Sequence, residues 1–248
     1  MNIFKKLFKP SLKLEPLDFS ILKTDLHSHL IPGIDDGSKS MEDTIAMLRK
    51  FKELGYKKVI TTPHIMNDFY KNTPEIILGG LADVRAEIEK QNIGIEIEAA
   101  AEYYIDYSIK ELIKTNNILS FGDNYVLFEL SFTQEQRGVN EIIFELITEG
   151  YKPILAHVER YPFYYNNWTR IKEYRDRGVL LQLNINSLSG HYGPGVKRMA
   201  EELIDRDWID VIGSDCHHFA HLEMIESLQT NPYLHKIVNK VDLLNKVL

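Results

Sequence analysis

From Ile21 onward, short β-branched or apolar stretches alternate with longer ones whose apolar residues recur every three or four positions, the rhythm of strand–helix units repeated around a parallel sheet. Seven short stretches read as strands: "ILKTDLHS", "KKVITTPH", "IEIEAAAEYY", "YVLFELSF", "KPILAHVER", "LLQLNINS" and "WIDVIGSDCH". Several are apolar at successive positions, as strands covered on both faces are. Between the first two, the segment from Met41 to Leu54 follows Ser40, opens on acidic residues, spaces Ile45, Leu48 and Phe51 helically and stops at Gly55. The same reasoning predicts helices over residues 74–91, 106–115, 140–148, 169–177, 196–206 and 231–246. No linker or composition shift divides residues 21–248, which read as one domain behind a leader over residues 1–20. Seven units predict an α/β barrel, closed or nearly so, with a doubly wound open sheet as the alternative that strand propensity cannot separate from it.

The polar interruptions of this pattern are not scattered. His29, His64, Glu102, Glu129, His157 and Asp215 each fall at or just past the carboxyl end of a predicted strand, the end at which barrels assemble their sites. In "DLHSH", Asp25, His27 and His29 are two apart and would share one face of an extended strand, with Leu26 and Ser28 opposite. A lone histidine there would read as a satisfied core residue, but a pair facing further acids and histidines is a chelating arrangement. Asp35 and Asp36 follow in a loop beside Gly33 and Gly37; Asp36 reads as a ligand and Asp35 as a turn residue. An unpaired Glu129 inside "YVLFEL" would cost several kcal/mol, so a metal or other cation is expected beside it. The same argument covers His157 in "ILAHVER" and Asp215 with His217 in "VIGSDCH". The candidates are thus His27, His29, Asp36, His64, Glu102, Glu129, His157, Asp215 and His217. They are too many for one ion, so a cluster of two or three is expected. Their nitrogen and oxygen donors suit Mn²⁺, Fe²⁺ or Zn²⁺.

Composition narrows the picture further. A chain of 248 residues that is 44% hydrophobic can bury a sizeable core. Its net charge of -7 argues against a nucleic-acid binder and requires that any anionic substrate be attracted locally. The single cysteine, Cys216, excludes an internal disulfide and fits a reducing compartment, so a cytoplasmic protein is expected. No apolar run approaches the roughly 20 residues that span a bilayer, and no signal-peptide pattern opens the chain. The opening "MNIFKKLFKPSLKL" mixes Lys5, Lys6 and Lys9 with Phe4, Leu7 and Phe8, which allows a weak contact with an anionic membrane; a loosely held leader is the plainer expectation.

The motifs "DLHSH", "IDDG", "TTPH", "AEYY", "FEL", "AHVER" and "GSDCH", in this order between Thr24 and His217, resemble the PHP (polymerase and histidinol phosphatase) superfamily. Within it they are most similar to the capsule-type, manganese-dependent bacterial tyrosine-protein phosphatases. The resemblance implies a distorted (β/α)7 TIM-like barrel with a trinuclear site at the C-terminal ends of the strands. It implies a first ion on His27, His29, Glu102 and Asp215, a second shared by Glu102, Glu129 and His157, and a third on Asp36, His64 and His217. It also implies that Arg160 in "HVERY" contacts the substrate phosphate, with Arg137 in "TQEQRGVN" a further candidate. The substrate would be a phosphotyrosine protein, a bacterial tyrosine kinase of capsule or exopolysaccharide synthesis. One departure stands out: relatives commonly carry a second phosphate-binding arginine after the last motif, where this chain has His218 and His221. Metal-activated water needs no covalent nucleophile, and "CHHFAHLE" lacks the glycines and arginine of a cysteine-phosphatase loop, so Cys216 reads as a packing residue. Two rivals stay open: a phosphatase of a small ester such as histidinol phosphate, and a non-catalytic metal-binding scaffold for the kinase.

Overall fold

All strand pairings are parallel, and most strands are short. The computed structural model describes residues 14–248. Nine strands stand where seven runs were expected: β1 (Thr24–Asp25), β2 (Lys58–Thr61), β3 (His64–Ile65), β4 (Glu96–Ala99), β5 (Glu102–Tyr104), β6 (Tyr125–Glu129), β7 (Lys152–Leu155), β8 (Leu180–Asn184) and β9 (Val211–Gly213). The second and third runs each split in two. Pro63 has no N–H and interrupts the ladder they share, which resumes where Glu102 donates to the Pro63 carbonyl at 3.1 Å. Hydrogen bonding orders the strands β1-β2-β4 and β3-β5-β6-β7-β8-β9. Beyond β1 and β9 the last run meets the first: Ser28 bridges Cys216, the Asp215 amide donates to the His27 carbonyl (2.8 Å) and that of His29 to Cys216 (2.9 Å). The parallel strands therefore curl round instead of lying as an open sheet.

Among the described residues there are eight α-helices: α1 (Met41–Leu54), α2 (Pro74–Lys90), α3 (Ser108–Lys114), α4 (Val139–Thr148), α5 (Trp168–Asp176), α6 (Pro194–Asp205), α7 (Phe219–Ser227) and α8 (Pro232–Val238). The first six lie where the periodicity placed them. Helix α1 is bounded as expected, the Ser40 hydroxyl accepting from the Asp43 amide at its start and Gly55 closing it at φ 109. The helix expected over 231–246 ends instead at Val238, and α7 was not anticipated. The tail turns back because it has other work. Asn245 donates to the carbonyls of Thr24 and Ile212 and accepts from the Ile212 amide, joining β1 to β9. The leader expected to reach residue 20 packs on the domain before that point. Leu17 donates to the Gln229 carbonyl, and buried Phe19 stacks on Tyr56 at 5.3 Å. Residues 1–13, with the basic amphipathic stretch, lie outside the described residues. No described helix is long and apolar enough to cross a membrane.

Alternation along the strands sorts side chains into two layers. Val59, Ile97, Val126, Phe128, Leu155 and Ile212 meet the helices in the larger core. Ile60, Ala100, Leu127, Ile154 and Val211 meet one another, with Leu26, in a smaller one. Continuing that second face toward the carboxyl ends leads from Ala100 to Glu102, from Leu127 to Glu129, from Ile60 to His64 and from Val211 to Asp215. One register thus supplies an apolar plug and, above it, four of the polar candidates.

Candidate metal centre

Groups of ligand atoms close enough to share an ion include every one of the nine candidates. The tightest set is buried. His27 Nε2 lies 3.2 Å from Glu102 Oε2, 3.3 Å from Asp215 Oδ1 and 3.3 Å from His29 Nε2, while His29 Nε2 lies 3.5 Å from each of the same two oxygens. Atoms placed about 2.1 Å from a common centre at tetrahedral corners stand about 3.4 Å apart, so the two imidazoles already stand at ion-sharing distances from each other and from both carboxylates. The resemblance assigns these four to its first ion; the groups within reach of one ion place Glu102 with both histidines and Asp215 with His27 and His157.

The remaining candidates surround it. His64 uses both ring nitrogens: Nδ1 lies 3.1 Å from Glu102 and 3.3 Å from Glu129, whereas Nε2 lies 3.5 Å from Asp36. His217 Nε2 also lies 3.5 Å from Asp36. His157 Nε2 is 3.0 Å from Glu102 but 3.9 Å from Glu129, and it groups with His27 and Asp215. The assignment of ligands to ions is therefore less tidy than expected, with His64 set between two positions and His29 joining Asp36, His64 and His217.

Neighbouring residues aim the imidazoles. Gln182 Oε1 lies 3.3 Å from His27 Nδ1 and accepts from the His157 amide at 2.6 Å. Asp35 accepts from His29 Nδ1 at 2.8 Å, and the Asp215 carbonyl accepts from His217 Nδ1 at 2.9 Å. The three Nδ1 contacts hold the rings so that Nε2 is directed at the carboxylates, the orientation of metal-binding histidines. Asp35 is thus more than a turn residue, and it also accepts from the Gly37 and His64 amides. Gly37 must be glycine, since a Cβ there would stand 2.3 Å from that of His29. His157 and Asp215 adopt φ of 33° and 48°, two of the eight non-glycine residues at positive φ among the described residues, in a region that Asp and His enter more readily than most side chains. Asp25, expected on the same face as His27, instead accepts from the Ser214 amide and hydroxyl.

Charge confirms how costly the cluster is without a cation. Although burial works against it, neighbouring carboxylates raise His27 to about 9, His64 to about 10 and His217 to about 8. The imidazoles in turn hold Glu102 and Asp215 well below the usual carboxylate range despite their burial. Protons on histidine do in the protein alone what divalent ions would do better. Donor type, spacing and orientation therefore fit divalent metal ions.

Arg160 reaches this centre: its Nη1 donates to Asp215 Oδ2 at 2.8 Å, and it does not pair with Glu159. Arg137 is exposed and makes no ion pair or side-chain hydrogen bond among the described residues, so the structure does not bring it to the cluster. Asn184, which the sequence reading passed over, donates to the same Asp215 oxygen at 2.8 Å. The signal for Asn184 and Gln182 was present, as the polar residues of "LLQLN". Cys216 is fully buried with its thiol raised well above the ordinary value, as burial and nearby Asp25 and Asp215 dictate, and its Sγ lies 3.6 Å from Met47 Sδ. Tyr103, Tyr161 and Tyr164 are buried in the core, whereas Tyr107 is exposed.

The model of the family described as capsular polysaccharide synthesis, CpsB/CapC, matches residues 23–240. Tyrosine-protein phosphatase YwqE of Bacillus subtilis is 28% identical over 195 residues, 78% of this chain and 77% of its own. Tyrosine-protein phosphatase CpsB of Streptococcus pneumoniae is 28% identical over 200 residues, 78% and 82% of the two chains. A crystal structure from work on these two proteins, described as unique metal-dependent tyrosine phosphatases, superposes with a TM-score of 0.78 at 25% identity over 90% of each chain. The chain belongs to the CpsB/CapC family of capsular polysaccharide synthesis.

Proposed function

We propose that this protein is a metal-dependent tyrosine phosphatase whose cluster holds two or three ions, Mn²⁺ foremost, and whose substrate is a phosphotyrosine protein, a bacterial tyrosine kinase of capsule synthesis. The observation that carries the reading is the buried quartet of His27, His29, Glu102 and Asp215 with Arg160 bonded to its edge. Bound divalent ions would supply a water of lowered pKa and positive charge against the phosphoryl oxygens. The chain's own residues do the rest. Gln182 and Asp35 hold His27 and His29 in orientation. Arg160 spends Nη1 on Asp215, while its Nε and Nη2 bond to no described residue and are left to donate to the phosphate. A buried, protonated Cys216 is no nucleophile. Counting each split run once gives seven staves closed through the Ser28–Cys216 bridge, which supports a distorted (β/α)7 barrel of PHP type. The free Cys216 suits a cytoplasmic site of action.

An assay of the Mn²⁺-loaded protein on matched phosphotyrosine and phosphoserine peptides, with histidinol phosphate alongside, tests this. Phosphotyrosine should be preferred, because a phenolate of pKa near 10 leaves with less need of protonation than an alkoxide. Cys216→Ser should retain activity. Preference for histidinol phosphate would favour a small-ester phosphatase, and no turnover at full metal occupancy a scaffold.

A further inference from the structure

The proposed role of Arg160 raises a physical difficulty. A guanidinium on a long, flexible side chain must be held still to meet a phosphate, and its one hydrogen-bond partner among the described residues, Asp215, is itself a candidate ligand with competing attachments. The structure offers a second restraint. Arg160 lies over the ring of Tyr192 at 4.4 Å and over that of Phe132 at 4.7 Å, so that aromatic rings from two separate loops close on it. Tyr192 also connects to the rest of the constellation: Asn184 Nδ2 lies 3.3 Å from its hydroxyl and 2.8 Å from the Asp215 oxygen that Arg160 uses.

Both rings are carried by anchored loops. Tyr192 sits between Gly190 and Gly193, both at positive φ, in a tight turn in which the Gly193 amide donates to the Gly190 carbonyl at 2.9 Å, just before Pro194 opens α6. Phe132 lies in the segment after β6, where the Thr133 amide donates to the Ser131 hydroxyl, and farther along Glu135 is bonded by Arg170 and Tyr164. Burial and the nearby Asp215 push the Tyr192 phenol up to about 12, so near neutrality it presents an uncharged ring to the cation.

We propose that Tyr192, with Phe132, forms an aromatic clamp that positions Arg160 and leaves its free Nε and Nη2 donors facing the phosphate. Tyr192 is a positioning residue, acting through Arg160 and not on the substrate. Two rings packed against the guanidinium restrict its movement, while its unused donors stay open to hydrogen bonding. The inference rests on the phosphatase reading, which chelation tests separately.

The experiment compares wild type, Tyr192→Ala, Tyr192→Phe, Arg160→Ala and the Arg160→Ala/Tyr192→Ala double variant at equal metal content on a phosphotyrosyl peptide, and follows the Arg160 Nε–H signal by ¹⁵N NMR. Tyr192→Ala should lower kcat/KM by about 5- to 30-fold, the worth of a desolvated cation–π contact, and mobilise the Arg160 signal, and Tyr192→Phe should restore both. In the Arg160→Ala background, removing Tyr192 should cost nothing more. Added guanidinium chloride should revive Arg160→Ala, whose slot is intact, and fail to revive the double variant. Equal losses from Tyr192→Ala in both backgrounds, or an Arg160 signal indifferent to Tyr192, would overturn the clamp. Full activity in Arg160→Ala would overturn it too, while chelator sensitivity would leave the metal phosphatase reading standing.

Discussion

The inner and outer parts of the cluster use the same residue types in opposite settings. His27, His29 and Glu102 have no exposed side-chain surface and Asp215 has 3%, whereas Asp36 is 52% exposed, with His64 and His217 at 12% and 17%. Gln182 and Asp35 brace the inner histidines, and the shared ladder between the first and last runs fixes their backbone. Asp36 stands in a loop, 3.5 Å from each imidazole it faces. Inner positions are thus built before an ion arrives, while the outer one must be gathered around it. A preformed cage loses little order on binding and should hold its ion tightly; the outer position should exchange.

Glu102→Gln should have the largest effect, because this carboxylate faces His27, His29, His64 and His157 at once. A loss of about 10³-fold or more in kcat/KM, together with metal content, is expected from removing several kcal/mol of charge stabilisation. Gln182→Ala tests whether inner tightness comes from orientation. It should weaken the inner ion by about 10- to 100-fold, read by metal competition, with Asp36→Ala raising only the Mn²⁺ concentration needed for half activity. If Asp36→Ala strips all the metal, the inner–outer division is wrong.

The smallest effect concerns pH, and its sign depends on metal. In the metal-free protein His217, His27 and His64 titrate at about 8, 9 and 10, above their ordinary 6.5. A raised folded-state pKa stabilises fully below the unfolded value and is lost as pH rises through the folded one. Metal-free protein should therefore lose Tm from about pH 6.5 toward pH 9 to 10. Ions displace those protons and compete with them less as pH rises, so the Mn²⁺-loaded protein should hold or gain Tm over the same range. Parallel slopes would remove these histidines from ion binding.

The clustering of the nine candidates was legible in the sequence because each is a charged or imidazole side chain at or just past the end of an apolar run, where only a partner can make it tolerable. Pairings across the fold were not. That Arg160 would choose Asp215, 55 positions away, over adjacent Glu159 depends on how the last two runs meet the first. Gln182 is one amide in an apolar strand, a weak signal until His27 and His157 are placed beside it. Local periodicity found α1 to its last residue and misread the tail, where Leu243, Leu244 and Asn245 are buried by returning to β1 and β9 and not by a helical stripe. Pro63 was visible, but its splitting of two runs shows only in the ladder they share.

Stepwise chelation, with metal per chain measured by elemental analysis alongside kcat/KM on a phosphotyrosyl peptide, tests the central claim most directly. Activity should fall as the first, outer ion leaves while inner metal remains bound, reach zero when the inner cage empties, and return with added Mn²⁺. Full activity in protein stripped of all metal would contradict the account.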